Sequence, residues 1–206
     1  MSDTRLYLIS PSIFDLDTFS DQLTDALDGG DVASFQLRMK ESEDDDIIAA
    51  AHVLMPICHA KDVAFIINDN PEIALQVGAD GVHIGPEDIT CKEAREIVGP
   101  DKIIGVTCKD SKHLSMTAGE QGADYVAFGA FYPTTTKITT TVVGTNVLTW
   151  WQDLFEIPCV AIGGITAENA GVLSEAGADF IAICSGVWDH KKGPKIAVKE
   201  INQAIA

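Results

Sequence analysis

The sequence predicts a closed (β/α)8 barrel, and three observations carry that prediction. Eight short apolar runs rich in Val and Ile alternate with eight stretches of helical spacing along the whole chain. The apolar runs are continuous, as strands covered on both faces require. Gly-Ala-Asp recurs at 78–80, 122–124 and 177–179, each time between a helical stretch and an apolar run. Eight such pairs close a barrel rather than extend an open sheet. The 206 residues suit one domain, taken as 1–206, with ample core.

The elements follow in order. A strand over Arg5–Ile9 leads to a helix over 16–28 that Asp15 or Asp17 can cap. Val32–Leu37 precedes a helix over 44–61, whose approach, Glu41 to Asp46, reads as a solvated acidic face. Ala64–Ile67 precedes 71–77, opened by Asn70-Pro71, because proline suits the first helical position. Gly81–Ile84 and 90–98 form the fourth pair, and Ile103–Val106 and 111–121 the fifth. Tyr125–Phe128 runs into one long Thr-rich loop, from Ala130 to about Thr145, of the kind that is usually functional. The helix over 146–155 then places Trp150 and Trp151 outside the barrel. Cys159–Ile162 with 168–176, preceded by Thr166, and Phe180–Ile183 with 195–205 complete the eight. In each Gly-Ala-Asp the glycine is expected to end its helix in a left-handed conformation.

Charge narrows the function. A net charge of −17, from 14 Lys and Arg against 31 Asp and Glu, opposes nucleic acid as a partner. Five cysteines without CxxC spacing oppose both a disulfide framework and a zinc site. No signal-peptide core and no run long enough to span a bilayer is seen, so the expectation is a cytoplasmic protein without a membrane partner. Small molecules remain as partners, and the sequence leaves open whether copies assemble into a homo-oligomer.

The scarce cations gather at strand ends. Alternation puts Gln36, Arg38 and Lys40 on one side of the second strand's end, where a fork and a point charge suit a phosphate ester. Asn68-Asp69 ends the third strand and Asp88 follows the fourth, so two carboxylates share one rim. Mg²⁺ takes one or two carboxylates plus water and substrate phosphates, which matches that supply. Helix capping would also explain both aspartates, and the two roles are compatible. Pro133-Thr-Thr-Thr-Lys137 offers hydroxyls and a lysine after the sixth strand. Ile162-Gly-Gly-Ile165 and Cys184-Ser-Gly186 offer bare amides after strands seven and eight, the common phosphate site of such barrels. His83 reads as a strand histidine satisfied by a hydrogen bond. No Ser-His-Asp or Cys-His arrangement stands out, so no covalent nucleophile is expected.

Taken together, Gln36–Lys40, Asn68-Asp69, Gly81-Val-His-Ile-Gly-Pro-Glu-Asp88, Pro133–Lys137, Gly163-Gly-Ile165 and Ser185 resemble the thiamine phosphate synthase family, in order and over essentially the whole chain. The resemblance implies a transferase of thiamine biosynthesis that joins hydroxymethylpyrimidine pyrophosphate to thiazole phosphate and releases pyrophosphate. It implies that Gln36, Arg38, Lys40, Asn68 and Lys137 hold the pyrimidine pyrophosphate, with Arg38, Lys40 and Lys137 catalytic. It assigns Mg²⁺ to Asp69 and Asp88, and the thiazole phosphate to Thr134, Thr136, Gly164, Cys184 and Ser185.

Two positions depart from the family pattern. Pro86 stands where a glutamine is usual. Gly105-Val-Thr-Cys-Lys109 replaces a Gly-x-Ser-x-His pattern, so Thr107 keeps a hydroxyl that can reach substrate and Lys109 adds a cation. The alternatives are a thiazole tautomerase-like isomerase and a non-catalytic paralogue that binds thiamine precursors. Retention of the pyrophosphate grip favours the synthase over the first, and only Pro86 and Lys109 speak for the second.

Overall fold

The computed structural model describes residues 4–134 and 142–206. Its strands are β1 (Arg5–Ile9), β2 (Ser34–Leu37), β3 (Ala64–Asn68), β4 (Gly81–Ile84), β5 (Ile103–Lys109), β6 (Tyr125–Gly129), β7 (Cys159–Ile162) and β8 (Phe180–Ile183). All are parallel, each pairs with the next, and β8 returns to β1, so the expected (β/α)8 barrel is closed. The helices are α1 (Leu16–Leu27), α2 (Asp44–His59), α3 (Pro71–Val77), α4 (Cys91–Val98), α5 (Lys112–Glu120), α6 (Asn146–Leu154), α7 (Ala170–Glu175), α8 (Ser185–Trp188) and α9 (Pro194–Ile205).

Local chemistry explains where the elements start. Asp15, not Asp17, caps α1, accepting the Thr18 N–H at 2.9 Å. Asn70 caps α3 in the same way through Ile73. β2 begins two residues later than its apolar run. β5 extends to Lys109 because a bulge against β6, between Thr107 and Lys109, carries the strand past its apolar stretch. α7 begins at Ala170 rather than 168: Asn169 takes the Thr166 N–H at 2.9 Å and holds 166–169 as a turn. α8 was not expected, since one helical turn carries no readable period.

Strand alternation divides the core. Leu6 and Leu8 of β1 face the helix layer, in one large cluster with Phe35, Phe65, Phe128 and Trp151. Tyr7 and Ile9 face inward and meet Tyr125, Ala127, Val160 and Ala182 in a small core inside the barrel. Trp151 is fully buried and stacks on Phe155 with centroids 4.1 Å apart, while Trp150 lies under the Lys112 ammonium at 4.3 Å. Both therefore pack outside the barrel, as expected.

The Gly-Ala-Asp joints show what their repetition is for. Gly78, Gly122 and Gly177 have φ of 75°, 89° and 101°, the left-handed turn expected of them. Each following aspartate ties back to the preceding strand twice. Asp80 donates its N–H to Phe65 O, and its carboxylate accepts the Phe65 N–H at 2.7 Å. Asp124 does the same with Ile104, and Asp179 with Cys159, again at 2.7 Å. A helix residue braces each carboxylate: His59 on Asp80, Arg95 on Asp124, Gln152 on Asp179. At the first pair Arg5 forks onto Asp31 instead, at 2.7 and 2.8 Å. All four ties lie at the N-terminal end of the strands, opposite the mouth. No helix among the described residues is long and apolar enough to cross a membrane.

Candidate active site

The C-terminal rim collects the predicted side chains. Arg38, just past β2, is held by the β1–α1 loop: its N–H is donated to Ser10 Oγ at 2.8 Å and its guanidinium to Ser12 Oγ at 2.9 Å. Lys40 meets Asp69 at 2.9 Å. Asp69 has a φ of 64°, unusual for a residue with a side chain, and its N–H is donated to His83 O at 2.7 Å. Backbone strain of this kind clusters at functional sites, and here it turns a carboxylate toward Lys40.

Asp88 lies beside Asp69. Its Oδ2 accepts the Gly85 N–H at 2.7 Å. Burial pushes its carboxyl above the usual range, with Asp69 adding to the rise, while the Gly85 N–H and Lys40 oppose it. Two carboxylates this close, one of them raised, repel each other when both are charged. Among the described residues no group of three or more His, Cys, Asp and Glu could hold a metal. Two carboxylates fit a cation that keeps water and phosphate oxygens as its other ligands.

One cavity gathers the remaining predictions. Gln36, Arg38, Lys40, Asn68 and Asp69 line one side of it. Thr107, Thr134, Gly164, Cys184 and Ser185 line the other. Asp88 is outside that wall, next to Asp69. Thr136 and Lys137 lie outside the described residues. Gly164 is set by Asn169, whose amide donates to its carbonyl at 3.2 Å, and Tyr132 reaches Asn169 O at 3.2 Å. Cys184 donates to Ser10 O at 3.4 Å, and burial pushes its thiol up to about 11, so it presents S–H rather than thiolate.

Below the mouth runs a row of hydrogen bonds. Gln36 Nε2 donates to Tyr7 Oη at 2.8 Å, and Tyr7 and Tyr125 hydroxyls are 2.8 Å apart. Tyr125 Oη is 2.9 Å from His83 Nδ1, and His83 Nε2 is 2.7 Å from Thr107 Oγ1. His83 is thus the satisfied strand histidine that was expected, and it also lines the cavity. Tyr7 and Tyr125 escaped sequence reasoning because they sit in apolar strands. The available signal was that a buried tyrosine hydroxyl needs a partner. Lys109, at the bulge with a φ of 56°, lines the cavity too and is 3.7 Å from Glu87.

The comparisons agree with the geometry. Residues 6–187 match the family model for thiamine monophosphate synthase. A thiamine-phosphate synthase from Rhodospirillum centenum is 56% identical, over 100% of this chain and 99% of that protein. One from Hyphomonas neptunium is 51% identical, over 97% and 92%. A solved thiamine phosphate pyrophosphorylase from Pyrococcus furiosus superposes with a TM-score of 0.85 at 30% identity, covering 99% of this chain and 96% of that one.

Proposed function

The chain belongs to the thiamine monophosphate synthase family, and from that premise we propose that it joins hydroxymethylpyrimidine pyrophosphate to thiazole phosphate with the help of Mg²⁺. It is a transferase that forms thiamine phosphate and releases pyrophosphate. The observation that carries the Mg²⁺ and residue assignments is the meeting of Arg38 and Lys40 with Asp69 and Asp88 at one rim.

The chemistry follows from those groups. The bond from the pyrimidine methylene carbon to the pyrophosphate oxygen breaks, and the electron pair leaves with pyrophosphate. Arg38 and Lys40 face the charge that grows on that oxygen, and Lys137 joins them in this reading. Asp69 and Asp88 would hold Mg²⁺, which when bound neutralises phosphate oxygens and so improves the leaving group. The electron-rich aminopyrimidine carries the methylene cation, and the thiazole nitrogen attacks it to form the new C–N bond. Gly164, Ser185, Thr134 and Thr136 would hold the thiazole phosphate so that this nitrogen faces the methylene carbon. Gln36, Asn68 and Thr107 would orient the pyrimidine. Positioning and charge stabilisation do the work, and no strong base is called for. The protein is read as cytoplasmic.

The test is thiamine phosphate formation from the two substrates with Mg²⁺ and with EDTA. Product that needs Mg²⁺ supports the reading. Product that persists in EDTA removes the metal from it, and no product from folded protein returns the weight to the isomerase or the binding paralogue.

A further inference from the structure

The hydrogen-bond row under the mouth has a direction, and proton counting gives it. Tyr7 and Tyr125 are enclosed, and burial drives both phenols well above their ordinary value, so each carries one proton. Gln36 already donates to Tyr7. The Tyr7 proton then goes to Tyr125, and the Tyr125 proton to His83 Nδ1. The opposite polarity would leave the buried Tyr7 O–H without an acceptor among the described residues, which is costly. With Nδ1 accepting, a neutral His83 carries its proton on Nε2 and gives it to Thr107 Oγ1. The Thr107 proton is left to point into the cavity that Thr107 lines.

The row is built into the barrel. A Cβ on Gly105 would lie 1.9 Å from the Tyr125 ring, so only glycine there lets the ring cross the interior. His83 stacks against the same ring, at 5.6 Å between centroids and an interplanar angle of 22°.

We propose that Tyr7 and Tyr125 are positioning residues that make Thr107 a hydrogen-bond donor into the cavity, so that the site selects the lone pair of a pyrimidine ring nitrogen over the N–H of a pyrimidinone. The proposal rests on the pyrimidine reading of the cavity. Both tyrosines line the cavity with their rings, while their hydroxyls are engaged within the row. They act through the tautomer of His83, and a plain core role would leave that tautomer indifferent.

The experiment reads the tautomer first. In ¹⁵N-labelled protein, well above the ordinary histidine pKa of about 6.5, the His83 ring is observed by NMR and assigned by its loss in His83→Gln. The Nε2–H tautomer is expected, and the Nδ1–H tautomer in the wild type overturns the proposal. In Tyr125→Phe the tautomer should become mixed. There kcat/KM for the pyrimidine pyrophosphate should fall roughly 10- to 100-fold, with KM for the thiazole phosphate unchanged. The same variant should lose preference for the aminopyrimidine over its oxo analogue. Unchanged kcat/KM and preference overturn the proposal. If Tyr125→Phe does not fold, Tyr7→Phe and the wild-type tautomer decide. A wild type that makes no product sinks the reaction reading, while its tautomer still tests the row.

Discussion

The two ends of the barrel use aspartate in opposite ways. At the N-terminal end Asp80, Asp124 and Asp179 each receive a strand N–H and a helix-borne donor, so every carboxylate finds partners. At the C-terminal end Asp69 and Asp88 crowd each other, and burial holds Asp88 above its ordinary range. One end spends its acids on stability. The other sets two acids side by side, with Lys40 on Asp69 and the Gly85 N–H on Asp88. Separation of stability from chemistry along the barrel axis is the general pattern of this fold, and here one residue type displays it.

Substitutions test that contrast. Asp88→Asn should lower Mg²⁺-dependent turnover by roughly 10²- to 10³-fold, as loss of a charge-stabilising group does. The same change should leave the metal-free urea midpoint equal or higher, because it removes a like charge. Retained turnover, or a clear loss of stability, would erase the distinction between the two ends. Asp124→Ala should do the reverse. It strands the Ile104 N–H and takes from Arg95 its carboxylate partner, leaving that guanidinium on the carbonyls of Gly99, Lys102 and Gly122, and should cost about 1–3 kcal/mol in urea unfolding, while kcat/KM of the folded fraction holds.

Acidity gives a subtler reading. Asp88 has a raised folded carboxyl, so the folded state binds its proton more tightly than the unfolded chain. Its contribution to stability is therefore greatest below the ordinary carboxylate range and is lost as pH rises through the raised value. Without Mg²⁺ the urea midpoint should show that decline, and Asp88→Asn should flatten it. Saturating Mg²⁺, which favours the charged form, should flatten it too. A decline that survives Asp88→Asn belongs to another group.

The smallest effect concerns the braces. His59→Ala and Gln152→Ala remove only the helix-borne partner and leave the strand N–H on its carboxylate. Each should cost less than about 1 kcal/mol, as exposed polar pairs do. A cost equal to that of Asp124→Ala would place the stability in the side-chain pair rather than the backbone tie.

The barrel was legible because its signals are local. β1, β4, β7 and β8 match their apolar runs residue for residue, and Asn70-Pro71 opens α3 as its chemistry requires. The ten predicted residues that share the cavity were legible because polar groups at strand ends must face the mouth. What stayed hidden depends on contacts between distant residues. Gln36 and Thr107 were read as separate ligands, and nothing local links them through Tyr7, Tyr125 and His83. The carboxylate ties were invisible for the same reason: the recurrence of Asp was plain, but its partners at 65, 104 and 159 lie a helix away.

Those ties also bear on how the chain assembles. They fall at alternate strand pairs, β1–β2, β3–β4, β5–β6 and β7–β8, and join residues 26, 15, 20 and 20 positions apart. Each is a short closure that one β-α-β unit makes alone, with little entropy lost to the intervening chain. The barrel thus divides into four quarters, each with its own short closure, a pattern that favours fast local assembly. A circular permutant opened at Lys61–Asp62, between quarters, keeps all four closures short. One opened between Phe65 and Asp80 makes the second closure span the whole chain, and its refolding slows accordingly.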